Sequence, residues 1–203
     1  MDDSRRTLLK LISAAPVAAA FTITEAEAEQ AHHQAQAARQ TAQRTRTAYK
    51  PRFFTAHEYE TVKVLADTII PRDERSGGAI DAGVPEFIDF TMVDQPARQT
   101  AVRGGLAWLD AEANRRFDKT FLASADAERR QILDDISGHG APAPGLTHGV
   151  SFFRTFRDLT ASGFWTSKMG IEDLGYIGNT FVADWQGCPA DVLKKLGATR
   201  VAE

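Results

Sequence analysis

The chain reads as mainly α-helical, an irregular bundle of about five to seven helices joined by Gly/aromatic-rich loops. Three observations predict this class. From Tyr59 onward, apolar residues recur at spacings of three and four. A helix-start signature of the S/T-x-x-E form, Thr55-Ala56-His57-Glu58, opens the first such stretch. No convincing period-two run marks a strand anywhere.

The opening segment has a different grammar. Met1-Asp2-Asp3-Ser4-Arg5-Arg6-Thr7-Leu8-Leu9-Lys10 places the adjacent Arg5 and Arg6 before a moderately apolar run, Leu11 to Ile23. This is the layout of a twin-arginine export signal, an address read by the translocation machinery. A membrane anchor is the competing reading. The apolar run has 13 residues, is broken by Pro16 and contains five alanines, whereas a spanning helix needs roughly 20 apolar residues. Small-x-small cleavage sites occur at Ala18-Ala19-Ala20 and Ala26-Glu27-Ala28. The second is favoured, which sets the leader at residues 1–28. From Glu29 to Ala48 there is no Val, Ile, Leu, Met, Phe, Trp or Tyr. A helix without an apolar face has nothing to bury, so residues 29–51 are expected to be a flexible Ala/Gln/Arg linker, with His32 and His33 solvated.

Residues 52–203 are expected to form one domain. Its first helix carries Tyr59, Val62, Leu65, Ala66 and Ile69 and stops at Pro71. Arg72 to Gly83 reads as a loop. Val84-Pro85-Glu86 restarts the chain with Pro in the first turn, and Phe87, Ile88 and Phe90 to Val93 supply the apolar face. Ala97 to Phe117 is a long helix with Val102, Leu106, Leu109 and Ala113 on one side. Gly104-Gly105 inside it suggests a close crossing or a bend. Ser124 is the expected N-cap of a helix bearing Ile132, Leu133 and Ile136. Gly138 to Gly149 reads as a Gly/Pro loop, and Val150 to Leu159 as a helix with Phe152, Phe153 and Phe156.

Charge argues against nucleic acid as a partner: residues 53–203 carry 16 basic and 22 acidic side chains. There is no G-x-G-x-x-G dinucleotide fingerprint, no C-x-x-C-H, no G-x-S-x-G and no H-E-x-x-H. The single cysteine, Cys188, cannot build an iron–sulfur site. His57, His139 and His148 are isolated in sequence. Asp134-Asp135 and Glu172-Asp173 read as solvated helix-face or helix-end polarity. Neither catalytic, cofactor-binding nor metal-binding residues are therefore assigned to this chain.

Between Phe152 and Trp185 lie eight of the chain's 18 aromatics, interleaved with Gly163, Gly170, Gly175 and Gly178. Glycines weaken regular structure, and beside aromatics they suggest tight turns that present rings and backbone to a surface. Trp and Tyr are enriched at protein–protein hot spots. Phe164, Trp165, Tyr176, Gly178, Asn179, Trp185, Gly187 and Cys188 are accordingly the candidate partner-binding residues. Cys188 is also the candidate for an intermolecular disulfide in an oxidising compartment. Two other readings stay open: an enzyme with Asp184 and Cys188 in a pocket near Tyr176–Cys188, and a sugar-binding protein stacking on Trp165 and Trp185.

The run Phe164-Trp165-Thr166-Ser167-Lys168-Met169-Gly170-Ile171, with Leu174-Gly175-Tyr176-Ile177-Gly178-Asn179 and Asp184-Trp185-Gln186-Gly187-Cys188-Pro189, resembles the gluconate 2-dehydrogenase subunit 3 family. So do Phe54-Thr55, Ala66-Asp67-Thr68-Ile69-Ile70-Pro71 and Ala82-Gly83-Val84-Pro85-Glu86-Phe87-Ile88-Asp89. The resemblance covers about residues 50 to 190. It implies a small subunit of a periplasmic, flavin-dependent sugar or polyol dehydrogenase. The large partner would hold FAD, and a c-type cytochrome subunit often takes the electrons. It implies a role in maturing, stabilising and co-exporting the flavoprotein, without catalysis in this chain.

Overall fold

The computed structural model describes residues 24–45, 49–138, 143–176, 187–188, 190–195 and 197. Among these, the order is α1 (Glu25–Thr45), α2 (Ala56–Ile69), α3 (Ala79–Ala82), α4 (Val84–Asp94), a 3-10 turn (Pro96–Arg98), α5 (Gln99–Phe117), α6 (Asp126–Ser137), α7 (Thr147–Trp165), α8 (Lys168–Leu174) and α9 (Ala190–Lys195). No strand occurs among the described residues, so the mainly α-helical class holds. The helices are more numerous than expected because α3, α8 and α9 are short and α1 stands where a linker is predicted.

The bundle is organised around α7, which touches α1, α2, α3, α4, α5, α6 and α8. Its Phe152, Phe153, Phe156, Leu159 and Phe164 are buried together with Leu65, Phe87, Leu109 and Ile132 from the surrounding helices. The start of α2 follows the predicted capping box. The Thr55 hydroxyl accepts from the Glu58 N–H at 3.2 Å, and the Glu58 carboxylate accepts from the Thr55 N–H at 2.8 Å. The expected apolar faces of α4, α5 and α6 are buried at Phe87, Ile88 and Met92, at Val102, Leu106, Leu109 and Ala113, and at Ile132, Leu133 and Ile136.

The predicted linker is the main departure. Residues from Glu25 to Thr45 form a helix that lies along α4 and also meets α7. Its buried face is Ala28, Ala31, His32 and Ala35, which is the i, i+3, i+4, i+7 spacing of a helix stripe. Alanine side chains are short, so the two backbones approach closely. Three buried methyl groups contribute on the order of 2 kcal/mol, and polar contacts add to that. Arg39 donates to the Asp81 carbonyl at 2.9 Å and lies 3.7 Å from the Glu86 carboxylate. Gly83, at φ +84°, clears the way, because a Cβ there would sit 2.6 Å from the Arg39 guanidinium.

Two smaller expectations also change. Ser124 does not cap α6. Its hydroxyl donates to the Thr120 carbonyl at 2.9 Å and closes the preceding turn. Ala125 occupies the cap position, and its N–H is satisfied by the Glu128 carboxylate at 2.7 Å. Helix α7 begins at Thr147 and runs on to Trp165, so Gly149 belongs to a helix and not to a loop. A Cβ at Gly149 would lie 2.3 Å from the Trp108 ring, and one at Gly105 would lie 1.8 Å from the Phe152 ring. These glycines permit the close crossing of α5 and α7 that the Gly104-Gly105 pair suggests.

Asp89 is wholly buried on α4 and organises the entry to the domain. One carboxylate oxygen accepts from the Tyr49 hydroxyl and the Arg52 N–H, both at 2.8 Å. The other accepts from the Phe53 and Phe54 N–H groups at 3.0 and 3.1 Å. This irregular segment has no helix to satisfy its amides, and a side chain does so instead. Burial and the neighbouring Asp89 hold the Tyr49 hydroxyl protonated well above its ordinary range.

Candidate docking site

The last turn of α7 sets the geometry of the exposed aromatic surface. Phe164 faces inward and is 1% exposed. It belongs to the core, which corrects its assignment to partner binding: it lies on the buried stripe of α7 with Phe153, Phe156 and Thr160. Trp165, the next residue, is rotated about 100° around the helix and is 38% exposed. The two rings meet edge to face, with centroids 4.9 Å apart.

The chain then turns sharply. The Ser167 hydroxyl donates to the Phe164 carbonyl at 2.6 Å and accepts from the Gly170 N–H at 3.0 Å, so it closes α7 and caps α8. Gly170 packs so tightly that a Cβ would sit 2.1 Å from the Phe164 carbonyl oxygen. Gly163 has the same role against another helix, where a Cβ would meet the Phe87 ring at 2.8 Å. Both glycines therefore serve close packing instead of the ring-presenting turns expected of them. Gly175 does form such a turn. It ends α8 at φ +65°, a conformation that glycine adopts without penalty. The Tyr176 N–H donates to the Ile171 carbonyl at 3.1 Å, and its ring is left 59% exposed.

Helix α8 thus returns along the outside and builds an open groove with α1. The groove holds about 430 Å³ and is bounded by Trp165, Ile171, Leu174 and Tyr176 on one side and Glu29, His33 and Gln36 on the other. The first side carries four of the exposed large hydrophobic residues of the described chain. The second is the polar face of α1. An exposed apolar face bordered by polar side chains is a feature of protein interfaces. Arg75 anchors the outer end of α8 by donating to the Asp173 carbonyl at 2.6 Å and pairing with its carboxylate at 3.2 Å.

His32 fixes the α1 wall. Its ring is buried against Phe87, with centroids 4.9 Å apart, and Nε2–H donates to the Gly163 carbonyl at 2.6 Å. That carbonyl lies in the final turn of α7, where the helical N–H partners run out. Burial pushes the His32 pKa below its ordinary value, so the neutral ring is favoured. The sequence reading placed His32 in a solvated linker and missed this role. The signal that points to it is the helical spacing of Ala28, Ala31, Ala35 and His32.

Of the sequence-predicted docking residues, the structure brings Trp165 and Tyr176 to one groove. Gly178, Asn179 and Trp185 lie outside the described residues, as do Arg5, Arg6 and Asp184. Gly187 takes φ +80°, and Cys188 is exposed with a free thiol. Among the described residues, no group of three or more His, Cys, Asp or Glu side chains is placed to hold a metal ion. No helix there is long and apolar enough to cross a membrane. His57 pairs with Asp110 at 2.6 Å, and Asp135 pairs with Arg116 of α5 at 2.6 Å, so these acids and this histidine serve contacts between elements.

Searches of curated proteins and of solved structures returned no match. A family model does match: gluconate 2-dehydrogenase subunit 3, over residues 56–184. That span opens on the first residue of α2, contains the whole of α2 to α8, and includes Trp165, Ile171, Leu174 and Tyr176. Covering well over half of the chain, the match shows that this protein belongs to the gluconate 2-dehydrogenase subunit 3 family.

Proposed function

We propose that this chain is the non-catalytic small subunit that escorts, stabilises and co-exports a flavin-dependent sugar or polyol dehydrogenase of the glucose–methanol–choline type. FAD resides in the large partner, and a c-type cytochrome can complete the assembly. Export uses the twin-arginine machinery through Arg5 and Arg6 and delivers the complex to the periplasm. The observation that carries the reading is the family match over residues 56–184. The groove of Trp165, Ile171, Leu174 and Tyr176 is the surface assigned to the flavoprotein, because it sets exposed aromatic and aliphatic side chains beside a polar wall. Cys188 is exposed, and a disulfide from it to the docked partner would slow dissociation.

The test is co-purification and fractionation. The native chain is expected to come out of the periplasm with a yellow large subunit, and Arg5→Lys with Arg6→Lys is expected to leave both in the cytoplasm. Normal periplasmic dehydrogenase activity in the double variant would sink the escort role. On a non-reducing gel, a band near the summed masses that is lost in Cys188→Ser supports the disulfide, and separate bands refute it.

A further inference from the structure

The start of α1 coincides with the favoured processing site. Ala26-Glu27-Ala28 has the small-x-small pattern of a leader cut, yet it forms the first turn of the helix. The turn is capped reciprocally. The Thr24 hydroxyl accepts from the Glu27 N–H at 3.3 Å, and the Glu27 carboxylate accepts from both the Thr24 N–H and its hydroxyl at 2.8 Å. The Ala28 N–H donates to the Thr24 carbonyl at 3.0 Å, and the Ala28 methyl is 3% exposed.

We propose that folding of α1 closes the Ala26-Glu27-Ala28 site to leader processing, so that the exported subunit keeps the whole of α1 and any cut falls at or before Thr24. Processing is hydrolysis: water adds across the Ala28–Glu29 peptide bond, leaving a carboxylate on Ala28 and an ammonium on Glu29. A peptidase must hold several residues on each side of that bond in extended form. Extending them breaks the cap, lifts Ala28 from its contacts and pulls on Ala31 and His32, which are buried one turn later. The product is also unfavourable, because the new ammonium would stand at a helix N-terminus, where the macrodipole repels positive charge. The Thr24 hydrogen bonds hold the Glu27 carboxyl below its usual range, so the cap persists into mildly acidic conditions. Retention matters for the groove, since Glu29, His33 and Gln36 form one of its walls.

The in-cell half of the test rests on the export reading. The subunit is purified from the periplasm with its partner, and its amino terminus is sequenced and weighed. A terminus at any residue up to Thr24 supports the proposal, and one at Glu25 or later, Glu29 included, overturns it. The second half does not depend on export. The purified full chain is digested with an endopeptidase that cuts after glutamate. Glu27 and Glu29 are expected to resist while the exposed loop residue Glu74 is cut. Thr24→Ala is expected to raise cutting at Glu27 about five-fold, the effect of losing one cap, and Thr24→Ser to restore protection. Wild-type cutting at Glu27 as fast as at Glu74 overturns the proposal. A chain that stays in the cytoplasm refutes export, and the digestion then decides the matter alone.

Discussion

Asp89→Asn tests the architecture where a single atom changes. The side chain keeps its shape and is wholly buried in the native protein. In the native chain both oxygens accept, two bonds each. An asparagine has one accepting oxygen and one NH2 group that only donates. If the oxygen stays toward Phe53 and Phe54, the NH2 faces the Tyr49 hydroxyl and the Arg52 N–H. The hydroxyl can rotate and accept, but the amide cannot. The Arg52 N–H is only part-buried, so losing its partner costs about 1 kcal/mol, the low end for an unsatisfied amide. The two surviving amide bonds lose their charged acceptor, a further loss of about 1 kcal/mol each. The flipped rotamer is no better, since it orphans two amides. The expected loss is about 3 kcal/mol out of a typical 5–15. Urea unfolding at pH 7, followed by far-UV circular dichroism, measures it. A second variant calibrates the result: Tyr49→Phe removes one bond and should cost about 1 kcal/mol. A loss below 1 kcal/mol for Asp89→Asn, with native helicity retained, would refute the claim that this carboxylate organises the domain entry.

Three further outcomes are expected. Gly105→Ala should destabilise by about 1–3 kcal/mol through overpacking against Phe152. Gly104→Ala, where a Cβ meets nothing within 4 Å, should be neutral or stabilise by up to about 1 kcal/mol; equal effects at both would contradict the crossing. Tyr176→Ala should weaken partner binding by about 2 kcal/mol or more with little change in unfolding, whereas Phe164→Ala should cost about 3–5 kcal/mol of fold stability. Calorimetry of the domain beside titration of the complex separates the two. His32 predicts a pH dependence. Its folded pKa lies below 6.5, mainly from burial, so near pH 6 the unfolded chain binds more protons than the folded one. Its contribution is full above about 6.5 and is lost as the pH falls below that. Melting temperature should drop between pH 7 and 5, and His32→Gln should flatten that part of the drop.

Much of the bundle was legible because helices announce themselves locally. The Thr55–Glu58 capping box, Pro85 in a first turn and the stripes of α4, α5 and α6 are short-range patterns, and they survive folding unchanged. The linker expected at residues 29–51 is helical up to Thr45 because alanines, not large apolar residues, supply the buried face. Alanine is a weak hydrophobic signal, yet at helical spacing it makes a narrow seam that lets α1 lie close to α4. Gly149, Gly163 and Gly170 depart from expectation for a related reason. Glycine looks like a turn residue in sequence, but the missing Cβ of Gly149 and Gly163 is replaced by the rings of Trp108 and Phe87, far along the chain, and that of Gly170 by the Phe164 carbonyl across the α7–α8 turn. Of the eight proposed docking residues, Trp165 and Tyr176 are exposed in one groove, and the aromatic-rich composition alone does not single them out. Their neighbour Phe164 differs only in the side of α7 it occupies.

By itself, the sequence determined the helical class, the positions of most helices and the family, because each depends on periodicity, caps and motifs within a few residues of one another. Only the tertiary structure decided which aromatics are core and which are surface, that α1 walls the groove, and that Asp89 and His32 complete backbone groups elsewhere in the fold. Those outcomes depend on which distant elements meet. A buried carboxylate or imidazole is tolerated only where the assembled fold brings it the amides or the carbonyl it needs, and no local pattern records that meeting.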